Sequence, residues 1–380
     1  MRIVYCYNTL WKTGGIETIT AIKADALSRL EGNDVWVVVT DSPDHAPDVL
    51  SPNVHLVDLG IHYDKISWRF PLNLIQLLPK RCLHRKKLRR LFHEIHPDVV
   101  ISAGGHERKI LPFLLGPWVL IRECHSITNY HQISQNNLVK TTGWLGEMIE
   151  FRLLFKRYDR IVVLTEEDKR IYWHNNDRVI VLENPLRFSS VKLSSLTKKK
   201  VISVGRLSPV KGFSQLIRAF RTVVDLYPDW ELHIFGEGPE RESLLDEIQS
   251  LGLQNSVSLH GTTKQVQEEL TQASIYACSS RFEGFGLSIL EAMSCGLPIV
   301  SFDCPYGPRS LIDNGHSGFL VPLDDVQGLS EKICLLIEDA NLRKTMGENA
   351  YNSTKKNNLD LVTSRWMDLF LELLSKKKQE

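Results

Sequence analysis

The chain has 380 residues, 43% of them hydrophobic and 24% charged, with a formal net charge of +1. That length exceeds what a single hydrophobic core usually supports, so two domains are expected, and the balanced charge gives no reason to expect a nucleic-acid partner. Seven scattered cysteines without a C-x-x-C pair suggest neither a disulfide framework nor a cysteine zinc site, and no apolar run reaches the roughly 18 to 20 residues of a membrane span.

Short apolar runs alternate with helical patterns along the chain, the signature of an α/β fold with parallel sheets. In the first half, strands are expected at 2–7, 34–40, 54–59, 98–102, 119–123, 160–164 and 179–182. Helical periodicity falls between them at 16–30, 83–95 and 145–158. The first strand runs into Lys12-Thr13-Gly14-Gly15-Ile16-Glu17, where paired glycines at a helix start let backbone approach an anion or a sugar. The spacing is neither G-x-G-x-x-G nor a P-loop.

Next comes a basic stretch, residues 80–92, in which Lys80, Arg81, Arg85, Lys86, Lys87, Arg89 and Arg90 interleave with Leu83, Leu88 and Leu91. A basic amphipathic helix is attracted to anionic lipid, and the alternative is a solvated helix face. Arg122-Glu123-Cys124-His125 then closes a strand. His125 is a candidate for contacting a transferred sugar, with a structural histidine as the alternative.

Composition shifts over 189–200, which is rich in Ser, Lys and Thr and reads as a linker. The expected division is an N-terminal domain at 1–188, a second domain at 189–358, and a C-terminal helix at 359–380 packing back toward the first domain. The second α/β series reads as 201–204, 213–227, 231–235, 239–251, 257–260, 275–278, 287–294 and 299–302, with a helical tail from 329. Its first strand delivers Arg206, and Lys211 follows in the loop. Ligands of open α/β sheets bind outside the carboxyl ends of the strands, where two cations can neutralise a diphosphate. Gly236-Glu237-Gly238-Pro239 and His260-Gly261-Thr262 form turns at the same edge.

The most specific stretch is Glu283-Gly284-Phe285-Gly286-Leu287-Ser288-Ile289-Leu290-Glu291. Phe285, Gly286 and Leu287 present backbone N–H groups at a helix start, which attracts phosphate. One carboxylate near the anion and a second deeper in the helix suit a nucleotide-sugar. The loop Cys304-Pro305-Tyr306-Gly307-Pro308-Arg309 lies at the same edge, either to touch ligand or to hold the Glu283 loop.

Taken together, Gly14-Gly15, Gly205-Arg206, Lys211-Gly212, Gly236-Glu237-Gly238-Pro239, the E-x7-E element and Gly318-Phe319-Leu320-Val321-Pro322 resemble glycosyltransferase family 4 over nearly the whole chain. That resemblance implies a GT-B fold, two Rossmann-like parallel-sheet domains facing a central cleft, and a retaining mechanism. It implies that Glu291 binds the ribose and that Glu283, with Gly284 in the same loop, lies against the donor sugar. The amides of Phe285, Gly286 and Leu287 would hold sugar hydroxyls and the distal phosphate, while Arg206 and Lys211 neutralise the diphosphate. Gly14 and Gly15 would approach donor phosphate or acceptor, and His125 would lie near the anomeric carbon.

No metal or other cofactor is implied, and the chain carries no D-x-D at a strand end. The Arg122–His125 and Pro305–Arg309 segments look most like bacterial transferases of surface polysaccharide assembly. The expectation is therefore transfer of a hexose, of galactose or N-acetylgalactosamine type, from a UDP-sugar to a glycan or lipid-linked glycan. The expected location is the cytoplasm, with peripheral contact to the inner face of the membrane through 80–92 left open. A UDP-sugar epimerase of GT-B fold and a non-catalytic nucleotide-sugar-binding partner subunit are the alternatives.

Overall fold

The structure, a computed structural model, describes residues 1–10, 14–41, 50–65, 72–125, 154–188 and 192–379. They form two compact units: Met1–Arg187 together with Leu359–Glu380, and Phe188–Asn358.

The first unit holds a seven-stranded parallel sheet: β1 (Arg2–Tyr7), β2 (Asp34–Val39), β3 (Val54–Asp58), β4 (Val99–Ser102), β5 (Val119–Glu123), β6 (Arg160–Val163) and β7 (Val179–Val181). Helices α1 (Gly15–Ser28), α2 (Leu72–Ile95) and α3 (Glu166–Ile171) connect them. Strands covered on both faces read as continuous apolar runs, and Ile3, Val4 and Tyr5 are all fully buried. Their alternation sorts the core into two layers. Ile3, Tyr5 and Val37 pack with Trp366 and Phe370 of the C-terminal helix. Val4, Cys6 and Val100 pack with Leu88 and Phe92 of α2. The order β3-β2-β1-β4-β5-β6-β7 reverses between β1 and β4, the topological switch point where open sheets bind ligands.

The second unit repeats this plan with β8 (Lys200–Val204), β9 (Glu231–Phe235), β10 (Val257–Leu259), β11 (Ile275–Cys278), β12 (Ile299–Phe302) and β13 (Gly318–Val321). All pairings are parallel, in the order β10-β9-β8-β11-β12-β13, so the switch point lies between β8 and β11. Its helices are α4 (Phe213–Leu226), α5 (Arg241–Ser250), α6 (Val266–Thr271), α7 (Leu287–Ser294), α8 (Gly307–Leu311), α9 (Val326–Glu338) and α10 (Ala340–Ser353). The chain then returns to the first unit as α11 (Leu359–Lys377).

Three sequence expectations change. The helix expected from residue 83 begins at Leu72 and continues through Pro79, absorbing the loss of one N–H donor. Of the helix expected at 145–158, residues up to 153 lie outside the described residues, and Phe155–Arg157 form a 3-10 turn. The short helices α3, α6 and α8 span too few residues for periodicity to register. Among the described residues, no helix is long and apolar enough to cross a membrane.

Candidate active site

In the second unit, β8 delivers Gly205 and an exposed Arg206, followed by a 3-10 turn at Pro209–Lys211. Gly212 then caps α4 with φ +61°, and a Cβ there would fall 2.3 Å from the Ser279 carbonyl oxygen. The loop after β8 is thus pressed against the loop after β11, across the switch point. Ser279 Oγ donates to the Lys211 carbonyl at 2.9 Å. Lys211 Nζ donates to Glu283 Oε1 at 2.5 Å, and Ser280 Oγ donates to the same oxygen at 2.7 Å.

Glu283 and Lys211 remain 11% and 23% exposed in their side chains, so the pair is enclosed but reachable. Burial alone would lower the Lys211 ammonium, yet the adjacent Glu283 outweighs it and holds Lys211 above its ordinary range. Lys211 is therefore a fixed ammonium at neutral pH, held against Glu283. Arg206, by contrast, makes no side-chain ion pair or hydrogen bond among the described residues.

Gly286 precedes α7 with no side-chain cap, so the first-turn amides from Leu287 onward are available to an external acceptor. Phe285 is buried and anchors this turn, while Gly284 stays partly exposed beside Glu283. Glu291 sits about one turn along the helix and is buried, at 8% exposure. The sequence left two roles open for the loop after β12, and the structure shows the supporting one. Gly307 N donates to the Glu283 carbonyl at 3.1 Å, Glu283 and Tyr306 form a parallel bridge, and Phe282 meets Tyr306 edge-on at 6.4 Å. Tyr306 itself has φ +75°, a strained conformation for a non-glycine residue.

The remaining loops at this edge interlock through their backbones. Gly205 N donates to the Phe235 carbonyl, Leu207 N to that of Glu237, and Gly236 N to that of Gly261, at 2.8–3.0 Å. Gly236 has φ +149°, and a Cβ on it would come within 1.8 Å of the Gly205 carbonyl oxygen, so no larger residue fits.

The corresponding edge of the first unit differs. Gly14 caps α1, but the Glu17 carboxylate folds back over it, and a Cβ on Gly14 would lie 2.2 Å from Glu17 Oε2. A helix start already facing its own carboxylate is less favourable to a further anion. Gly15 is exposed beside it, and Lys12 and Thr13 lie outside the described residues.

The His125 side chain is 3% exposed and pairs with Glu123 at 3.4 Å, rather than projecting into open space. Glu123 in turn pairs with buried Lys23 of α1, whose ammonium lies 4.8 Å from the Trp366 ring centroid. Burial would raise the Glu123 carboxyl, but His125 and Lys23 prevail and hold it at about 2. Burial lowers both Lys23 and His125, against the pull of Glu123.

Sequence reasoning passed over the neighbouring network. Glu107 Oε1 accepts from Ser102 Oγ at 2.9 Å and from the amides of Gly104 and Gly105 at 3.1 and 2.8 Å, while Arg122 Nη1 donates to Ser102 Oγ at 3.0 Å. The Gly104-Gly105 pair at a strand end was the available signal. Among the described residues, no group of His, Cys, Asp or Glu could hold a metal ion.

Comparison with known proteins follows the two-unit division. Residues 13–187 match the model of Glycosyltransferase Family 4, and residues 187–353 match Glycosyl transferases group 1. An exopolysaccharide phosphotransferase of Streptomyces coelicolor is 36% identical over 298 residues, which span 77% of this chain and only 30% of that protein. An uncharacterized glycosyltransferase of Haemophilus influenzae is 30% identical over 286 residues, 74% of this chain and 78% of that one. The crystal structure of Anabaena HepE in complex with UDP-glucose superposes with a TM-score of 0.76 at 20% identity, covering 98% of this chain and 100% of that one. At that identity the likeness establishes the fold alone.

Proposed function

This chain belongs to the family 4 glycosyltransferases, enzymes of GT-B fold, and from that premise we propose that it moves a hexose from a UDP-sugar to a hydroxyl of a lipid-linked glycan, with retention of configuration, in bacterial surface-polymer synthesis. The carrying observation is the Lys211–Glu283 pair at the β8/β11 switch point, beside exposed Arg206 and the start of α7. Diphosphate departure builds negative charge, and preorganised cations and backbone dipoles are most effective against charge that develops in the transition state. In this proposal Arg206, Lys211 and the α7 amides supply that counter-charge. Glu283, held by Lys211 and Ser280, lies against the donor sugar, and Glu291 takes the ribose hydroxyls.

The acceptor hydroxyl attacks the anomeric carbon on the face the diphosphate leaves. Its proton passes to the departing phosphate oxygen, which accounts for retention. The galactose or N-acetylgalactosamine type of the sugar belongs to this proposal, as does action at the cytoplasmic face of the membrane. The UDP-glucose in the HepE crystal structure supports a UDP-linked donor here.

The test is UDP release from a panel of UDP-sugars with and without lipid-linked glycans, with the product anomer read by NMR. Acceptor-dependent release with an α-linkage from an α-donor is expected. Interconversion of the UDP-sugar without UDP release would instead establish an epimerase. UDP binding with neither outcome would establish a non-catalytic subunit.

A further inference from the structure

The transfer reaction uses the carboxyl edge of the sheets, and the opposite edge of the first unit carries a separate feature. A cavity of about 820 Å³ opens there between the C-terminal half of α2, the entries to β1, β4 and β5, and the end of α11. Arg2, Arg85, Arg89, Lys377 and Lys378 line it, against the single carboxylate of Asp98. Asp98 is already engaged, accepting from the Arg2 backbone N at 2.7 Å. An adjoining groove of about 470 Å³ shares Arg85 and Arg89 and adds Lys86 and Arg90.

Two of these cations have carboxylate partners, Lys377 with Asp159 at 3.5 Å and Arg90 with Glu94 at 2.9 Å, whereas Arg2, Arg85, Arg89 and Lys378 have none among the described residues. Arg89 makes no ion pair or hydrogen bond among the described residues, and Arg85 donates only to the Phe113 carbonyl, at 3.3 Å. Concave, uncompensated positive charge concentrates anions. The walls, however, are apolar, with Phe92, Trp118 and Leu374 lining the interior. At the rim stand Phe113, 42% exposed, and Leu115, 91% exposed. A free polyanion has no use for such a rim. A phosphate headgroup with acyl chains attached uses both parts.

We propose that this cavity seats the phosphate headgroup of an anionic membrane lipid and docks the first unit on the membrane, with Phe113 and Leu115 entering the interface. The proposal sharpens the membrane location put forward above, but lipid binding itself requires no transferase activity. It also bears on the acceptor. The cavity lies at Arg2, and five residue steps of β1 separate it from Tyr7 at the carboxyl edge, about 17 Å at the strand rise. A sugar attached directly to a lipid headgroup does not reach across that span. The acceptor is then a glycan already elongated above its lipid, supplied by earlier glycosyl transfers onto the same carrier.

Flotation of the full chain with phosphatidylcholine vesicles, and with vesicles also containing phosphatidylglycerol, tests the assignment without any sugar donor, so its failure would leave the transferase reading standing. Binding to the anionic vesicles alone is expected. The double variant Arg85→Gln/Arg89→Gln should weaken it about 30-fold, from the loss of two cations at an anionic surface. Leu115→Asp should weaken it as well, and both variants should keep the wild-type melting temperature and donor turnover. Equal binding to neutral vesicles, or undiminished binding by the arginine variant, overturns the site. Competition by soluble glycerol phosphate at the lipid's own concentration would reassign the cavity to free phosphate and overturn the lipid. Equal transfer to carriers bearing one sugar and bearing a longer glycan would overturn the spacing argument.

Discussion

At the carboxyl end of β8, Arg206 stands exposed, Lys211 meets Glu283 in a partly open pair, and a helix start faces outward. At the carboxyl end of β5, Lys23, Glu123 and His125 close on one another beneath Trp366, and the helix start at Gly14 is covered by Glu17. The two sheets share one strand order over six strands, reversed at the same place, and the first adds β7 at its edge. The fold therefore builds two equivalent strand-end positions, and side chains alone decide how charge is arranged at each. In the second unit the charges are held apart from full burial and remain answerable to a ligand. In the first they answer to each other.

The sharpest way to break this contrast is at Glu283. Glu283→Ala should lower sugar transfer about 10³-fold and Lys211→Met by about 10²-fold, the range for losing one preorganised group in an active site. UDP release with acceptor present measures both. Retained activity in Glu283→Ala would remove the second unit's claim to the chemistry.

The first unit should fail differently. Lys23→Met leaves the buried Glu123 charge with only His125 beside it, so a stability loss of about 3–5 kcal/mol is expected by chemical denaturation. Replacing Glu123 by Leu in the same chain should recover part of that loss. A Lys23→Met chain of unchanged stability but lost activity would move this cluster from structure to function.

Acid should expose the same asymmetry. His84 and His106 are held at about 4, by burial first and then by neighbouring positive charge, against an ordinary value of 6.5. The unfolded chain takes up protons that the folded one refuses, so stability falls as pH drops from 6.5 toward 4, by about 1 to 2.5 kcal/mol per pH unit. Glu123, at about 2 against 4.5, extends the loss below pH 4.5. Denaturation midpoints across pH 4 to 7 should show this slope, and His106→Gln should flatten it.

The smallest effect belongs to Arg206. An exposed guanidinium without a described partner contributes little to stability, so Arg206→Ala should melt within about 0.5 kcal/mol of the parent. It should nonetheless raise the donor KM about tenfold, the loss of roughly one charge-assisted contact. Glu291→Ala should likewise act mainly on donor binding. Unchanged KM in both would withdraw the nucleotide from these positions.

Much of this was legible in the residues. Strands β1, β5, β9, β11 and β12 coincide with their expected ranges; β5, β11 and β12 are buried at every position, and only Arg2 and Glu231 stand exposed at the starts of the other two. Glu283, Lys211 and Arg206 were legible because glycines and cations at successive strand ends converge by topology. What escaped was long-range pairing. Lys23 reads as an ordinary solvated helix residue, and no local spacing links it to Glu123 or Trp366. Lys211 read as a cation awaiting phosphate, whereas the structure gives it a carboxylate partner as well. The start of α2 escaped because Pro79 reads as a helix boundary.

The return of α11 to the first unit has a consequence in time. Lys23 is made early, and its aromatic cover, Trp366, emerges from the ribosome only after the whole second unit has been synthesised. Domains generally fold as units during synthesis, so the second unit has its full sequence available first. The first must wait with a cation and an apolar layer still uncovered. A released chain truncated before residue 359 should therefore protect the second unit from protease and leave the first open to it.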